Sequence, residues 1–169
     1  MTQFWGTHQN RRDAKGRVSV PAQFRAALRA LGEGEATLVL RPSHKHSCIE
    51  AWPQSLFQEL ETPLARLDQF SDPHDDLALT LYADAYPVEP DKEGRIILPE
   101  SLAAFAGLGE TVVFMGLGRT FQIWEPAAAE QRRAEARVRA RELTLAGTGV
   151  SPGAGMGMGN GTGPAGGKA

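Results

Sequence analysis

Nine residues, Asp13-Ala14-Lys15-Gly16-Arg17-Val18-Ser19-Val20-Pro21, return in pattern 78 positions later as Asp91-Lys92-Glu93-Gly94-Arg95-Ile96-Ile97-Leu98-Pro99. Each copy holds an Asp and an Arg four residues apart around a Gly, then an alternating stretch, then a Pro. Behind the Pro, apolar residues fall at helical spacing: Phe24, Ala27 and Leu28 in the first copy, Leu102 and Phe105 in the second. A supersecondary unit present twice in one chain limits the fold to arrangements that relate the two copies by symmetry.

The repeated segment has a local logic. The Asp can accept hydrogen bonds from backbone N–H groups ahead of it, the Gly can take positive φ, and strand formers begin at once, so the segment forms a hairpin tip. Asp13 and Arg17 flank the first tip, and a carboxylate at that spacing can orient a guanidinium while leaving some of its donors unused. Two readings stay open from the turn alone: a structural clasp, or an arginine presented to a phosphate or a base edge.

Residues 4–11 read as a strand entering the first tip, with residues 18–20 as its hairpin partner. Pro21 suits the first position of a helix, where no N–H is needed, and Gly32-Glu33-Gly34 ends that helix. Residues 37–40 form a strand, residues 41–47 a loop and residues 48–52 the returning strand, giving a ββαββ unit. Leu56, Leu60, Leu64 and Leu67 then make a helical stripe that Pro63 kinks or breaks. Ser71-Asp72-Pro73 starts another helix, with Asp72 as the cap and Leu77, Ala78, Leu81 and Tyr82 as its apolar face.

The second unit repeats the order. Pro87 and Pro90 shorten its first strand or confine it to a sheet edge; a strand at 96–98, a helix at 99–108 and strands at 111–115 and 121–124 follow. Trp124-Glu125-Pro126 echoes Trp52-Pro53. Residues 126–143 are an Ala-rich helix of interleaved Glu and Arg, with Glu135 and Arg139 at i,i+4. The Gly-rich end has almost nothing to bury. The division is therefore a first unit at 1–53, connecting helices at 54–84, a second unit at 85–126, a charged helix at 127–145 and a disordered tail at 146–169.

A unit of roughly fifty residues sits near the lower size limit for a core of its own. Two units packed about a pseudo-twofold axis escape that limit by closing the faces Val18/Val20/Leu38/Leu40 and Ile96/Leu98/Val112/Phe114 on one another. The expected class is α+β, with two pseudo-symmetric ββαββ units sharing one core and flanking helices outside it.

Net charge is −2, but it is unevenly placed. Arg11, Arg12, Lys15, Arg17, Arg25 and Arg29 oppose only Asp13 in the first thirty residues, whereas thirteen acids outweigh Arg66, Lys92 and Arg95 between 46 and 110. A single Cys48 excludes an intrachain disulfide and fits a reducing compartment. No apolar run approaches the ~18 residues of a spanning helix, so no membrane partner is expected. His44, His46 and Cys48 alternate as metal ligands could, yet they are three, Lys45 lies among them, and His8 or His74 would have to complete the set. No metal and no cofactor are expected. No Gly-x-Ser-x-Gly elbow or complete phosphate loop is present, and Asp75-Asp76 suits the acidic first turn of a helix. Neither an enzyme nor a small-molecule substrate is indicated.

Phe4-Trp5-Gly6-Thr7, both Asp-x-x-x-Arg turns and the Trp124-Glu125 strand end together resemble the MraZ family, bacterial regulators built from two SpoVT/AbrB-type units. The resemblance covers residues 3–143. It implies a swapped-hairpin, AbrB-like β-barrel core and a ring-like homo-oligomer. It further implies binding to double-stranded DNA at promoter direct repeats upstream of the division and cell-wall gene cluster, as a repressor, in the cytoplasm on the nucleoid. The family's motif residues map onto Asp13, Gly16 and Arg17 and onto Asp91, Gly94 and Arg95. With the cations around the first tip, the DNA-binding set becomes Arg11, Arg12, Asp13, Lys15, Gly16 and Arg17. Asp91, Gly94 and Arg95 form a structural or weaker contact, because Glu89, Asp91 and Glu93 surround that tip. The alternative, drawn from other AbrB-like members, is a non-catalytic protein-interaction module without specific DNA binding.

Overall fold

The computed structural model describes residues 3–31 and 37–147, with side chains through Thr144. The Gly-Glu-Gly helix stop at 32–34 and the Gly-rich tail beyond 147 lie outside the described residues. The first repeat supplies β1 (Thr7–Arg11), β2 (Arg17–Ser19), α1 (Ala22–Ala30), β3 (Leu38–Pro42) and β4 (Ile49–Pro53). Three short helices follow, α2 (Gln54–Gln58), α3 (Glu61–Ala65) and α4 (Asp72–Ala78), the last running into a π-helical turn at Leu79–Ala83. The second repeat supplies β5 (Tyr86–Val88), β6 (Arg95–Ile97), α5 (Glu100–Phe105), β7 (Thr111–Gly116) and β8 (Phe121–Trp124), and α6 spans Pro126–Gly147. The chain divides into a compact unit ending at Ala129 and a second beginning at Glu130.

Six strands form one antiparallel sheet in the order β1-β7-β8-β4-β3-β5, and β2 pairs with β6 in a separate ribbon. The expected pairing of residues 18–20 with the strand before them is therefore corrected. Instead of a ladder, an isolated bridge, Arg12 to Val18, and the Asn10 side chain, which donates to the Ser19 carbonyl at 2.6 Å, join the two segments. Each first strand crosses to the other repeat instead, β1 to β7 and β5 to β3. The ladders match: His8↔Phe114, Gln9↔Val113 and Asn10↔Val112 recur as Tyr86↔Leu40, Pro87↔Val39 and Val88↔Leu38. The pseudo-twofold axis passes between Glu50 and Gln122 in the sheet and between Val18 and Ile96 in the ribbon, where equivalent residues face each other. β5 is the shorter edge strand, as Pro87 requires, since it has no N–H to donate.

The α+β class and the shared core hold. All eight expected core positions are buried in one cluster with α1 and α5 residues. At its centre Phe24 lies 4.9 Å from Phe121 and 5.3 Å from Phe4, ring to ring, in the tilted and edge-on geometries aromatic quadrupoles favour. The outer face of the sheet is covered twice in the same way. After β4, Phe57 of α2 packs on Trp52; after β8, Ala129 of α6 joins a cluster with Trp124, Val113 and Met115.

Three local readings change. Arg41, expected in a loop, belongs to β3 and is buried, because it lies directly across from Glu50 of β4. Ser71 rather than Asp72 caps α4, its Oγ accepting the His74 N–H at 3.3 Å, which moves Pro73 into the first turn. The stripe at 53–67 is two helices. They part at Glu59 and Leu60, so that Pro63 falls in the first turn of α3, where a missing N–H costs no bond.

Gly116 carries the closest backbone approach in the sheet: a Cβ there would collide with the Phe4 carbonyl and the Trp5 nitrogen. Gly116→Ala is expected to destabilise the protein by roughly 1–3 kcal/mol in urea titrations, since the Phe4 segment must move. A fragment ending at residue 70 removes the partner of β1, so sedimentation should find it unfolded or self-paired; a folded monomer would contradict the exchanged ladders.

Candidate nucleic-acid interface

The two tips are built identically. In the first, Asp13 Oδ1 accepts the backbone N–H groups of Lys15 and Arg17, both at 2.9 Å, and its Oδ2 accepts Arg17 Nε–H at 2.7 Å. The Gly16 N–H donates to the Asp13 carbonyl at 3.0 Å, with Gly16 at a φ of 77°. In the second, Asp91 Oδ1 takes Glu93 and Arg95 N–H, both at 2.9 Å, Oδ2 takes Arg95 Nε–H at 3.0 Å, and Gly94 sits at a φ of 80°. The clasp reading is thus correct for both tips. It is compatible with presentation, because Nε alone is consumed and the terminal nitrogens stay outside the carboxylate's grip.

The tips differ in what surrounds those nitrogens. Arg95 Nη2 lies 3.0 Å from Glu93 Oε2, which neutralises the second guanidinium. Lys15 stands at the equivalent position of the first tip. Among the described residues Arg17 has no second carboxylate partner, and its side chain is about as accessible as that of Arg95, 30% against 29%.

The basic residues of the N-terminal stretch do not stay together. Arg12 turns inward and donates from Nη2 to the Leu108 carbonyl at 3.1 Å, tying the first tip to the segment between α5 and β7. Arg11 is exposed, with Glu110 at 3.8 Å, a separation that binds it weakly. Strand exchange places α1 beside the second tip: Arg25 donates from Nε to the Val20 carbonyl at 3.1 Å and lies over Gly94 so closely that no Cβ would fit. Arg25, Arg29 and Lys92 line one groove there. The corresponding groove at the first tip has Glu100 of α5 beside Lys15. A run that is continuous in sequence therefore divides, with Arg11, Lys15 and Arg17 at one tip and Arg25 and Arg29 at the other.

The alternating His44, His46 and Cys48 do not converge. The His44 ring contacts the Arg41 guanidinium, His46 lies on Trp124 at 5.7 Å between ring centres, and Cys48 is buried beside the outer cluster. Among the described residues no group of three or more His, Cys, Asp or Glu side chains could hold a metal. Arg41 is the polar centre that sequence reasoning missed. Its Nε lies 3.3 Å from Glu50 Oε1, the oxygen that also faces Trp52 Nε1. Continued alternation, with Val39 and Arg41 on one face and Glu50 opposite, was the available signal. Burial and the neighbouring Arg41 hold the His44 pKa below its ordinary value, so the pair does not carry two adjacent cations at neutral pH.

Backbone N–H donors and the paired Arg hold the carboxyls of Asp13 and Asp91 below their ordinary value of 3.8. A depressed native pKa means the unfolded chain binds the proton more readily, so this stabilisation is complete above the ordinary value and fades as pH falls below it. Asp91→Asn is therefore expected to flatten the decline of Tm with acidification below about pH 4, while lowering Tm at neutral pH. Unchanged acid dependence in thermal melts would show that the clasp is not coupled to folding.

The family model described as "MraZ protein, putative antitoxin-like" matches residues 3–79 and 81–144. A protein of Gluconacetobacter diazotrophicus named transcriptional regulator MraZ is 68% identical over 138 residues, which are 81% of this chain and 87% of that one. One of the same name from Gluconobacter oxydans is 61% identical over 138 residues, 81% and 84% of the two chains, and one from Rhodospirillum rubrum is 42% identical over 135 residues, 79% and 86%. Two consecutive matches over two copies of the same clasp, with identity of this extent across both, make the chain a member of the MraZ family.

Proposed function

We propose that this chain regulates transcription by binding double-stranded DNA, with the first tip as the reading element. One observation carries the proposal: two identical clasps present an arginine, but among the described residues the terminal nitrogens of Arg17 meet no carboxylate, because Lys15 stands where Glu93 takes Nη2 of Arg95. A guanidinium held by Nε and open at both Nη atoms matches the paired acceptors of a guanine edge or a phosphate. The relatives' shared name, transcriptional regulator, supports this reading. Asp13 and Gly16 fix the geometry, Arg12 anchors the tip through Leu108, and Lys15 and Arg11 add phosphate contacts.

One tip offers few cationic contacts, so a single site binds weakly and with strong salt dependence. Several copies in a ring-like homo-oligomer, each on one of consecutive direct repeats, raise the affinity by effective concentration, on the order of 10²–10⁴-fold. The target is the promoter region of the division and cell-wall gene cluster, the effect is repression, and the protein works in the cytoplasm on the nucleoid without catalysing a reaction.

Protection of the upstream region of that cluster, followed by titration, tests the reading. Arg17→Ala should weaken specific binding by roughly 1–3 kcal/mol per engaged subunit, and Arg95→Ala by much less. Equal losses with folding intact would overturn the asymmetry. A wild-type protein that protects no site would favour the protein-interaction module.

A further inference from the structure

We propose that α6 of one copy docks on the exposed face of α4 of a second copy, arginines against aspartates. It rests on the multimeric reading above and names the surfaces that build the assembly.

Neither α3 nor α4 buries a residue within its own chain. Helices of five and seven residues are marginal in water without packing, whatever their capping. On α4 the exposed residues gather on one side: Asp72, Asp75, Asp76 and Leu79 follow one another at i, i+3, i+4 and i+7. Leu79 is 66% exposed, and Phe70, just before the helix, is 89% exposed. Among the described residues, the basic group within ion-pair distance of these carboxylates is the ring of His74, whose Nδ1 lies 3.6 Å from Asp75. Three carboxylates on α4 and a large apolar side chain at each of its ends thus lie open, while the opposite side of the helix, with His74, Leu77 and Ala78, is half-buried.

The stretch of α6 from Glu130 carries the complementary pattern. Arg133, Arg137 and Arg141 recur every four residues as an exposed stripe that Glu130 precedes, with Val138 exposed beside it. The interleaved glutamates predict pairing within the helix, yet the Glu135 to Arg139 pair does not form; Glu135 accepts from Gln131 Nε2 at 3.2 Å instead. Within this helix, among the described residues, none of the five arginines is within ion-pair distance of a glutamate. The charges are complementary: three cations at helical repeats of four extend about 12 Å and overhang three anions that span about 6 Å, with apolar side chains at both margins. Single exposed pairs contribute little, but several that meet around an apolar centre fix register and partner. A patch that seats a different patch makes a heterologous contact, which closes into a ring when the rotation allows.

Charge exchange on the full chain, read by sedimentation velocity, tests the docking. Arg133→Glu/Arg137→Glu/Arg141→Glu and Asp72→Lys/Asp75→Lys/Asp76→Lys should each shift the protein to smaller species at concentrations where the wild type is assembled. An equimolar mixture of the two variants should restore assembly, because each reversed surface meets its reversed complement and each native surface a native one. Circular dichroism checks that both remain folded. Retained size in both variants, or losses that mixing does not repair, overturns the docking. An α6 variant of normal size with weakened DNA binding overturns it too and assigns the stripe to phosphates. A wild type that is monomeric overturns both the docking and the multimeric reading, whereas an assembled wild type indifferent to these changes overturns the docking alone.

Discussion

Everything in the main body follows from the exchange of first strands between the repeats. Roughly fifty residues cannot bury enough apolar surface to close a core, and each repeat leaves an edge unpaired. Pairing β1 with β7 and β5 with β3 satisfies both edges at once and forces Phe24, Phe114 and Phe121, from different repeats, into one cluster. The ribbon of β2 and β6 then has no freedom of register: Val18 must face Ile96 for both apolar faces to point inward. Arg12 reinforces the same exchange by crossing to the Leu108 carbonyl.

The exchange also separates backbone symmetry from chemical symmetry. The clasps agree bond for bond, because Asp, Gly and Arg sit at the same spacing and the turn admits one solution. The surfaces around them differ because each tip lies beside the other repeat's helix. Arg25 shields Gly94, whereas the equivalent position on the second helix is Ala103, which covers nothing comparable at Gly16. Glu93 and Lys15, at equivalent places, then give the two guanidiniums opposite surroundings. A duplicated fold can in this way give two identical clasps different surroundings.

Much of the fold was legible in the residues. The repeat, the edge character of the strand with Pro87, the eight core positions and both Asp-to-Arg clasps depend on local spacing, and local spacing is what a sequence displays. Besides the strand pairing, two local readings failed. Arg41 looked like the start of a loop, because a cation in a strand core is legible only once Glu50 is known to lie opposite. Ser71 and Asp72 are both competent caps, and the choice between them depends on which oxygen the turn aims at the His74 N–H.

Alternation, turn chemistry and periodicity were enough to specify two ββαββ units, their inward faces and the two tips that present arginine, since each follows from contacts a few residues apart. Which strand pairs with which and where Arg25 and Arg29 come to lie were settled only when the chain closed on itself. Those outcomes depend on partners in the other repeat, such as Arg12 with Leu108 and Arg25 with Gly94, and no spacing within either repeat encodes them.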